Sequence, residues 1–270
     1  MDEVVTSFTS TTPEMEAAIK EMIAAGVFYG RKKNQTCPRM KQYVLHNRNG
    51  VEIINLSRTY EELNEALEFL KSRVVAGAPV LLVATQPQLQ DLVNAIRQRL
   101  NIPVVFNRWI GGTLTNFKII AQRIEHFRRL KRDMSAGVFA KYTKKEQVMI
   151  SKEIERLDRL FAGIENLERL PSVMVVIDPI VHGSAVREAR RMNIPIVAFA
   201  NVDTNPAVIE RLVPGNTKAR QSVSWFLEKV EPILAGATRA PAVAASVPGA
   251  KTESTYDISD KANVTILIEK

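Results

Sequence analysis

The sequence predicts an α/β protein: a doubly wound parallel sheet in three layers, with an inserted antiparallel coiled-coil helical hairpin. Short apolar runs alternate with amphipathic segments of helix length, which is typical of a parallel sheet covered by helices on both faces. The run at 79–84 is apolar without interruption, as expected of a strand buried on both faces. Two basic segments, at 115–134 and 143–165, break the alternation with a heptad pattern and predict the hairpin.

The remaining elements follow in order along the chain. Thr12 and Pro13 open a first helix that runs to about residue 25. A turn of asparagine and glycine at 47–50 separates two short strands, at 43–45 and 51–54. Further helices are predicted at 59–75, 88–100, 184–192 and 217–234, and further strands at 104–106, 173–177 and 196–199.

The hairpin is predicted from apolar spacing and from helix caps. Steps of four, three, four and three residues separate the apolar positions of the second segment, which are Ile150, Ile154, Leu157, Phe161 and Ile164. Thr143 and Glu146 form a capping box before this run, and Thr115 is the expected cap of the first helix. The connector at 135–142 is short enough to make the two helices antiparallel neighbours, with arms about 30 Å long that project from the body.

These elements divide the chain into three parts. Residues 1–112 and 168–235 form the α/β body, and residues 113–167 form the inserted basic hairpin. Residues 236–270 are rich in alanine, proline, serine and threonine and are predicted to be a flexible tail.

The charge of the chain predicts an anionic partner. The net charge is +8, and the whole positive excess lies in the first 235 residues. Residues 31–48 hold six basic and no acidic residues, and residues 113–167 hold twelve basic and seven acidic ones. Cations in these segments are expected to replace counterions along folded RNA. The candidate RNA-binding residues are Arg31, Lys32, Lys33, Arg39, Lys41, Arg108, Lys118, Arg128, Arg129, Lys131, Arg132, Lys141, Lys144 and Lys145.

The cations near the far end of the first arm and around the connector are expected to collect at one end of the hairpin. The alternative is that they only keep a solvated hairpin soluble. Reversing the charge at Arg128, Arg129 and Arg132 is therefore expected to weaken RNA binding and to leave the melting temperature nearly unchanged.

A small-ligand or enzymatic domain is the main alternative, because ligands of doubly wound sheets bind at the carboxyl ends of the strands. Asp178 and His182 lie there, but such residues are more often turn formers and helix caps. The turn at 111–113 could offer backbone amides to a phosphate. No dinucleotide or Walker-type glycine motif is present. We therefore predict no catalytic residue, no metal and no cofactor; a free RNA-binding regulator stays open as a third hypothesis.

The single cysteine, Cys37, excludes a disulfide framework and a cysteine-based metal cluster. No apolar run approaches the ~18 residues of a membrane span, and the N-terminus lacks the basic region of a secretory signal. A reducing, cytoplasmic location without membrane attachment is expected.

The segment 107–117 reads NRWIGGTLTNF and closely resembles the signature R-W-[IL]-G-G-x-L-T-N of the bacterial small-subunit ribosomal protein S-two family. Further blocks match this family in order, from GVFYG at 26–30, through TKKE at 143–146, to VDTN at 202–205 and PGN at 214–216. The resemblance covers about residues 14–234. Several ordered blocks together are far more specific than any one of them.

The resemblance implies a non-enzymatic protein with a flavodoxin-like body and an inserted coiled-coil hairpin. It implies binding to small-subunit ribosomal RNA and a place on the ribosome beside neighbouring small-subunit proteins. It also implies a docking surface for the largest small-subunit protein, which captures messenger RNA.

The chain departs from the family pattern at several positions. The N-terminal block of the family usually carries two histidines, where this chain has Phe28 and Arg31. No imidazole-bound metal is therefore expected, and Arg31 with its two lysine neighbours is expected to contact phosphate instead. Pro206 directly follows Asn205, and the residues at 217–218 are Thr-Lys where the family has acidic ones, so this edge is less negative.

Overall fold

The computed structural model describes residues 13–75 and 79–237. The predicted first residue of the first helix, Thr12, lies outside the described residues. The last helix runs to Ala237, and the predicted tail from residue 238 onward also lies outside them.

The described chain begins with a helix and a small antiparallel sheet. Helix α1 (Pro13–Ala24) leads into this sheet, whose strands are β1 (Tyr29–Lys32), β2 (Val44–Arg48) and β3 (Val51–Ile54). The order across the sheet is β1-β3-β2, so β3 pairs with both neighbours. The predicted pair β2 and β3 is therefore confirmed.

The central sheet is parallel and has five strands. They are β4 (Val80–Val83), β5 (Val104–Val105), β6 (Val173–Ile177), β7 (Ile196–Ala200) and β8 (Arg211–Pro214). Their order is β5-β4-β6-β7-β8, so the first strand lies between the second and the third. This is the strand order of a flavodoxin-like doubly wound sheet, and it confirms the predicted fold class.

Helices cover both faces of the central sheet. They are α2 (Leu56–Val75), α3 (Gln90–Leu100), α4 (Phe117–Ser135), α5 (Lys144–Phe161), α6 (Gly183–Arg191) and α7 (Arg220–Ala237). Because successive strand residues point to opposite faces, Leu82 packs in a first core with α1, α2, α3 and α7. Leu81 and Val83 pack in a second core with α4, α5 and α6. Within residues 13–75 and 79–237, no helix is both long and apolar enough to span a membrane.

Two strands of the structure, β1 and β8, are not predicted by the sequence pattern. Strand β1 reads YGRK and has no apolar alternation, yet its position requires Gly30, because a Cβ atom there would lie 2.5 Å from the carbonyl oxygen of Glu52. Strand β8 reads RLVP and ends on a proline, which a sheet tolerates only at its edge.

Helices α4 and α5 occupy the two predicted heptad segments. Their apolar residues nearest the body pack in the second core, against the central sheet; these are Ile120, Ile124, Phe127, Leu157 and Phe161. The outer parts of the arms expose Met134 and Val148, and the connector exposes Val138. The part that projects is therefore shorter than the whole arm, because the inner apolar positions serve the body. The coiled-coil winding of the arms stays a prediction.

Candidate nucleic-acid interface

A half-buried carboxylate holds the loop that leads from the central sheet into helix α4. Glu188, on helix α6, accepts hydrogen bonds from the backbone N–H groups of Gly112 and Leu114, at 2.9 and 3.0 Å. It also accepts one from the indole N–H of Trp109 at 3.0 Å. Gly112 has φ +87°, a conformation that side chains other than glycine rarely adopt. The loop is thereby held in one conformation at the root of the hairpin.

The hydrogen bonds that Glu188 accepts also affect its pKa. Burial raises the pKa, but the hydrogen bonds from Trp109, Leu114 and Gly112 outweigh burial and hold the pKa below its usual value. The side chain is therefore a carboxylate at neutral pH, and it accepts from the Gly112 amide of the turn at 111–113. The Thr113 amide of this turn donates to the carbonyl of Ile110 at 3.1 Å. The amides of Gly112 and Thr113, which this turn could have offered to a phosphate, are thus bonded within the protein.

The start of helix α4 also differs from the prediction. Asn116, not Thr115, is the N-cap residue, and its side chain makes no capping hydrogen bond. The hydroxyl of Thr115 instead lies 3.4 Å from Glu188 Oε2. The predicted Thr115 cap is wrong because this residue belongs to the loop that Glu188 holds.

Four cations in the second half of α4 are paired with acidic side chains. The pairs are Arg128–Glu125 at 3.6 Å, Arg129–Asp133 at 3.8 Å, Lys131–Glu165 at 3.2 Å and Arg132–Glu125 at 2.9 Å. Arg128 also donates to the backbone carbonyl of Glu165, where helix α5 has ended. Local carboxylates therefore neutralise these four cations, in contrast to the connector lysines.

Three lysines form a positive tip at the connector, which we call the tip lysines: Lys141, Lys144 and Lys145. All three are exposed, and none forms an ion pair with any residue that the structure describes. The predicted capping box, whose Thr143 and Glu146 flank Lys144 and Lys145, is confirmed. Thr143 N–H donates to Glu146 at 2.9 Å, and Glu146 N–H donates to the Thr143 hydroxyl at 3.4 Å.

Two of the tip lysines lie at the N-terminus of a helix, where a positive charge is unfavourable. The capping box starts α5 so that Lys144 and Lys145 fall in its first turn. The N-terminus of a helix carries partial positive charge, so a cation there lowers helix stability by about 0.3–1 kcal/mol. Lysine at this end is therefore not explained by helix stability.

Arg31 is turned toward the body. Its Nε donates to Asp203 at 3.1 Å, its guanidinium lies 3.9 Å from Asp178, and its side chain is 22% exposed. Two carboxylates thus neutralise Arg31, and it is a poor ligand for phosphate, contrary to the expectation. The guanidinium stands where a cation would balance these carboxylates, so the residues present do not fit a metal there. In the described part of the chain, no three side chains of His, Cys, Asp or Glu are grouped to hold one.

The other candidate cations lie at the surface in two places. Lys32, Lys33 and Lys41 of the N-terminal segment are exposed, and Arg39 donates to Asn205 at 3.5 Å. Arg108 and Lys118 are exposed near the root of the hairpin. The candidates are therefore spread over the N-terminal segment, the root, the middle and the tip of the hairpin.

The carboxyl ends of the central strands are occupied by side chains that bond to each other. His182 Nε2 accepts from the backbone N–H of Thr85 at 3.0 Å, so its Nδ1 carries the proton and donates to the carbonyl of Asp178 at 3.0 Å. The Asp178 carboxylate accepts from Thr217 at 2.9 Å and from Gln86 at 3.4 Å. These groups lie at the position where this fold binds ligands, and they form hydrogen bonds with one another. This agrees with the alternative given above, in which strand-end residues have a structural role.

Comparisons with known proteins agree over most of the chain. A sequence model of the family described as ribosomal protein S2 matches residues 22–236. Small ribosomal subunit protein uS2 of Thermus thermophilus is 36% identical over 220 residues, which cover 82% of this chain and 86% of that protein. The protein of the same name from Francisella philomiragia is 37% identical over 211 residues, which cover 78% of this chain and 88% of that protein. The match to the family extends through both the body and the hairpin.

Sequence reasoning did not single out Glu188 as a functional residue. Its donors lie 74 to 79 positions earlier in the chain, so no local spacing marks them as partners. Glu188 and Ala189 also resemble a block of the family's sequence pattern, but that resemblance says nothing about the role of the glutamate.

Proposed function

The chain belongs to the ribosomal protein S2 family, and from that premise we propose that it is a structural constituent of the small ribosomal subunit that binds ribosomal RNA. Its role is to hold folded RNA and so support translation, and it performs no catalysis. The α/β body is the scaffold for the surfaces that meet RNA.

The observation that carries the RNA-binding site is the contrast between the tip and the middle of the hairpin. The middle cations have carboxylate partners, with Lys131 at 3.2 Å from Glu165 as one case. The tip lysines have no ion pair among the described residues. Unpaired exposed cations are the groups that phosphate can bind without first breaking an internal ion pair. We therefore assign the first RNA contact to the tip lysines.

Charge neutralisation supplies the affinity. Each lysine that meets a phosphate releases condensed counterions, so binding weakens steeply as salt is added. Phosphate contacts fix the position of the protein but carry no sequence information. Selectivity for one RNA site then comes from the tertiary shape of the RNA. Exposed cations at Lys32, Lys33, Arg39, Lys41, Arg108 and Lys118 extend this interface onto the body.

The protein partners follow from the same assignment. Neighbouring small-subunit proteins contact the body on the assembled particle, on ribosomes of the cytoplasm. One of these partners is the largest small-subunit protein, which captures messenger RNA. The exposed apolar pair Ile180 and Val181, beside the strand-end network, supplies apolar area for a protein contact.

The tip lysines are tested by a charge-removing triple variant, K141Q/K144Q/K145Q. Binding to folded small-subunit ribosomal RNA is measured at several salt concentrations. We expect weaker binding and a plot of log K against log salt that is shallower by about 0.9 for each phosphate that the variant no longer binds.

The matched control is R58Q/R156Q/R159Q, which removes the same formal charge. These arginines are exposed and paired with Glu61, Glu153 and Glu155 at 3.0, 2.6 and 2.6 Å. If the control weakens binding as much as the tip variant does, RNA responds only to net charge and the tip is not a specific contact.

A further inference from the structure

A groove of about 470 Å³ opens at the amino edge of the central sheet, opposite the edge that carries Asp178. Its floor is apolar and includes Ile196, the first residue of β7. Its rim is polar and includes Arg73, Arg190 and Glu210. The RNA contact proposed for the tip of the hairpin does not account for a polar rim at this edge of the sheet.

The rim is positive overall. Arg73 comes from the last turn of α2 and Arg190 from the last turn of α6. Neither forms an ion pair with any residue in the described ranges. Glu210 is the one acidic residue among the described residues that line the groove. Two arginines thus face one carboxylate.

A third guanidinium stands close by. Arg211, the first residue of β8, places its Cζ atom 5.8 Å from the ring centroid of Phe69, and Arg73 places its own 5.1 Å from the same ring. The Nε of Arg211 is buried and has no hydrogen-bond partner among the described atoms. Both guanidiniums lie within cation–π distance of that ring, which is an attractive contact. Arg211 does not line the groove, so it contributes positive charge beside Arg73 and not a donor to the groove itself.

Helix electrostatics account for only part of this arrangement. A cation in the last turn of a helix interacts favourably with the helix dipole, which explains a basic residue at Arg73 and at Arg190. It does not explain Arg211, which belongs to a strand, or the convergence of two helix ends on one groove.

We propose that this groove is a second RNA contact, in which Arg73 and Arg190 bind phosphates of the RNA backbone. A guanidinium presents paired N–H donors that match the oxygens of a phosphate, so each arginine can bind one bidentately. The inference rests on the proposed role in ribosomal RNA binding and adds a surface on the body, at the amino edge of the sheet. RNA then contacts two separate parts of the protein, the tip of the hairpin and this groove.

The test is the variant R73Q/R190Q in the full chain, with folded small-subunit ribosomal RNA and a series of salt concentrations. We expect weaker binding and a salt dependence shallower by about 0.9 for each phosphate released from the groove. In R73K/R190K the charge stays but the bidentate geometry is removed, so we expect the salt dependence of the unaltered protein with lower affinity. The control R58Q/R99Q removes two arginines that are paired with Glu61 and Glu231, both at 3.0 Å, and is expected to change neither quantity.

The outcomes separate this inference from the proposed function. If R73Q/R190Q leaves both affinity and salt dependence unchanged while K141Q/K144Q/K145Q weakens binding, the groove is not an RNA contact and the assignment of the tip stands. If R73Q/R190Q lowers the affinity without changing the salt dependence, the effect is structural and the inference is also overturned. If the unaltered protein does not bind this RNA, the proposed function itself fails. Should R73Q lower the melting temperature, exposed Arg190 is tested alone as R190Q.

Discussion

At the scale of single residues, Glu188 determines the geometry of the hairpin's root. Its carboxylate accepts hydrogen bonds from the N–H groups of Trp109, Gly112 and Leu114, which all lie in one loop. Gly112 and Trp109 of this loop therefore serve a structural connection.

Replacing Glu188 with glutamine tests this connection. E188Q keeps the shape of the side chain but removes the charge and turns one acceptor into a donor that faces other donors. We expect the free energy of unfolding to fall by about 1–3 kcal/mol, the cost of buried donors left unpaired. Denaturant unfolding measures it, with E61Q as the control, because Glu61 is 53% exposed and pairs only at the surface. An E188Q protein as stable as the E61Q protein would show that the loop does not depend on this carboxylate.

His182 predicts how stability depends on pH. Burial lowers the pKa of His182 below 6.5, and the hydrogen bond to Asp178 offsets this only in part. Below pH 6.5 the unfolded chain binds a proton that the folded protein does not yet bind, so this contribution to stability is complete above pH 6.5 and decreases as the pH falls.

Urea unfolding between about pH 8 and about pH 5.5 measures this linkage. The unaltered protein is expected to lose stability toward the acid end, and H182Q is expected to lose less over the same range. Exposed His126 provides the control: H126Q should keep the full pH dependence. A pH profile that H182Q leaves unaltered would contradict the assignment of the linkage to His182.

At the scale of elements, the two arms of the hairpin have different roles at different points along their length. Their inner apolar residues belong to the core of the body, and Phe127 and Phe161 are almost fully buried there. Their middle carries paired charges, and their tip carries unpaired lysines. The same two helices therefore provide stability at one end and a binding surface at the other, and substitutions should act differently along their length.

Charge reversal at Arg128 and at Arg129 should have different effects on stability. R128E loses a half-buried bond to the carbonyl of Glu165 and places a carboxylate beside Glu125, so the free energy of unfolding is expected to fall by about 1–3 kcal/mol. Arg129 is 76% exposed in a surface ion pair, so R129E is expected to change it by less than about 1 kcal/mol. Thermal unfolding compares the two variants. Equal melting temperatures, both close to that of the unaltered protein, would instead support the expectation from the sequence that charge reversal on this arm leaves stability nearly unchanged.

At the scale of the whole molecule, the two edges of the central sheet have opposite character. The carboxyl edge, where this fold binds ligands, is filled by His182, Asp178 and their partners, with Arg31 against Asp178. The amino edge carries a groove rimmed by arginine.

Local patterns in the sequence predict most of this architecture, and long-range pairs account for the rest. The buried strands β4, β6 and β7 are continuous apolar runs, so they are recognisable without any partner. Strands β1 and β8 are short and carry polar residues or proline, so only their neighbours in the sheet reveal them. The pair of Arg31 and Asp203 joins residues 172 positions apart, and no spacing within either segment predicts it. For the same reason the unpaired state of the tip lysines becomes visible only once the partners of the other cations are known.

The most direct test of the central claim is the sedimentation of a lysate from cells in which a tagged form of this chain replaces the untagged one. The account predicts that the tagged protein sediments with small ribosomal subunits, in an amount equimolar with small-subunit ribosomal RNA. A chain that stays at the top of the gradient, free of ribosomal particles, would contradict it.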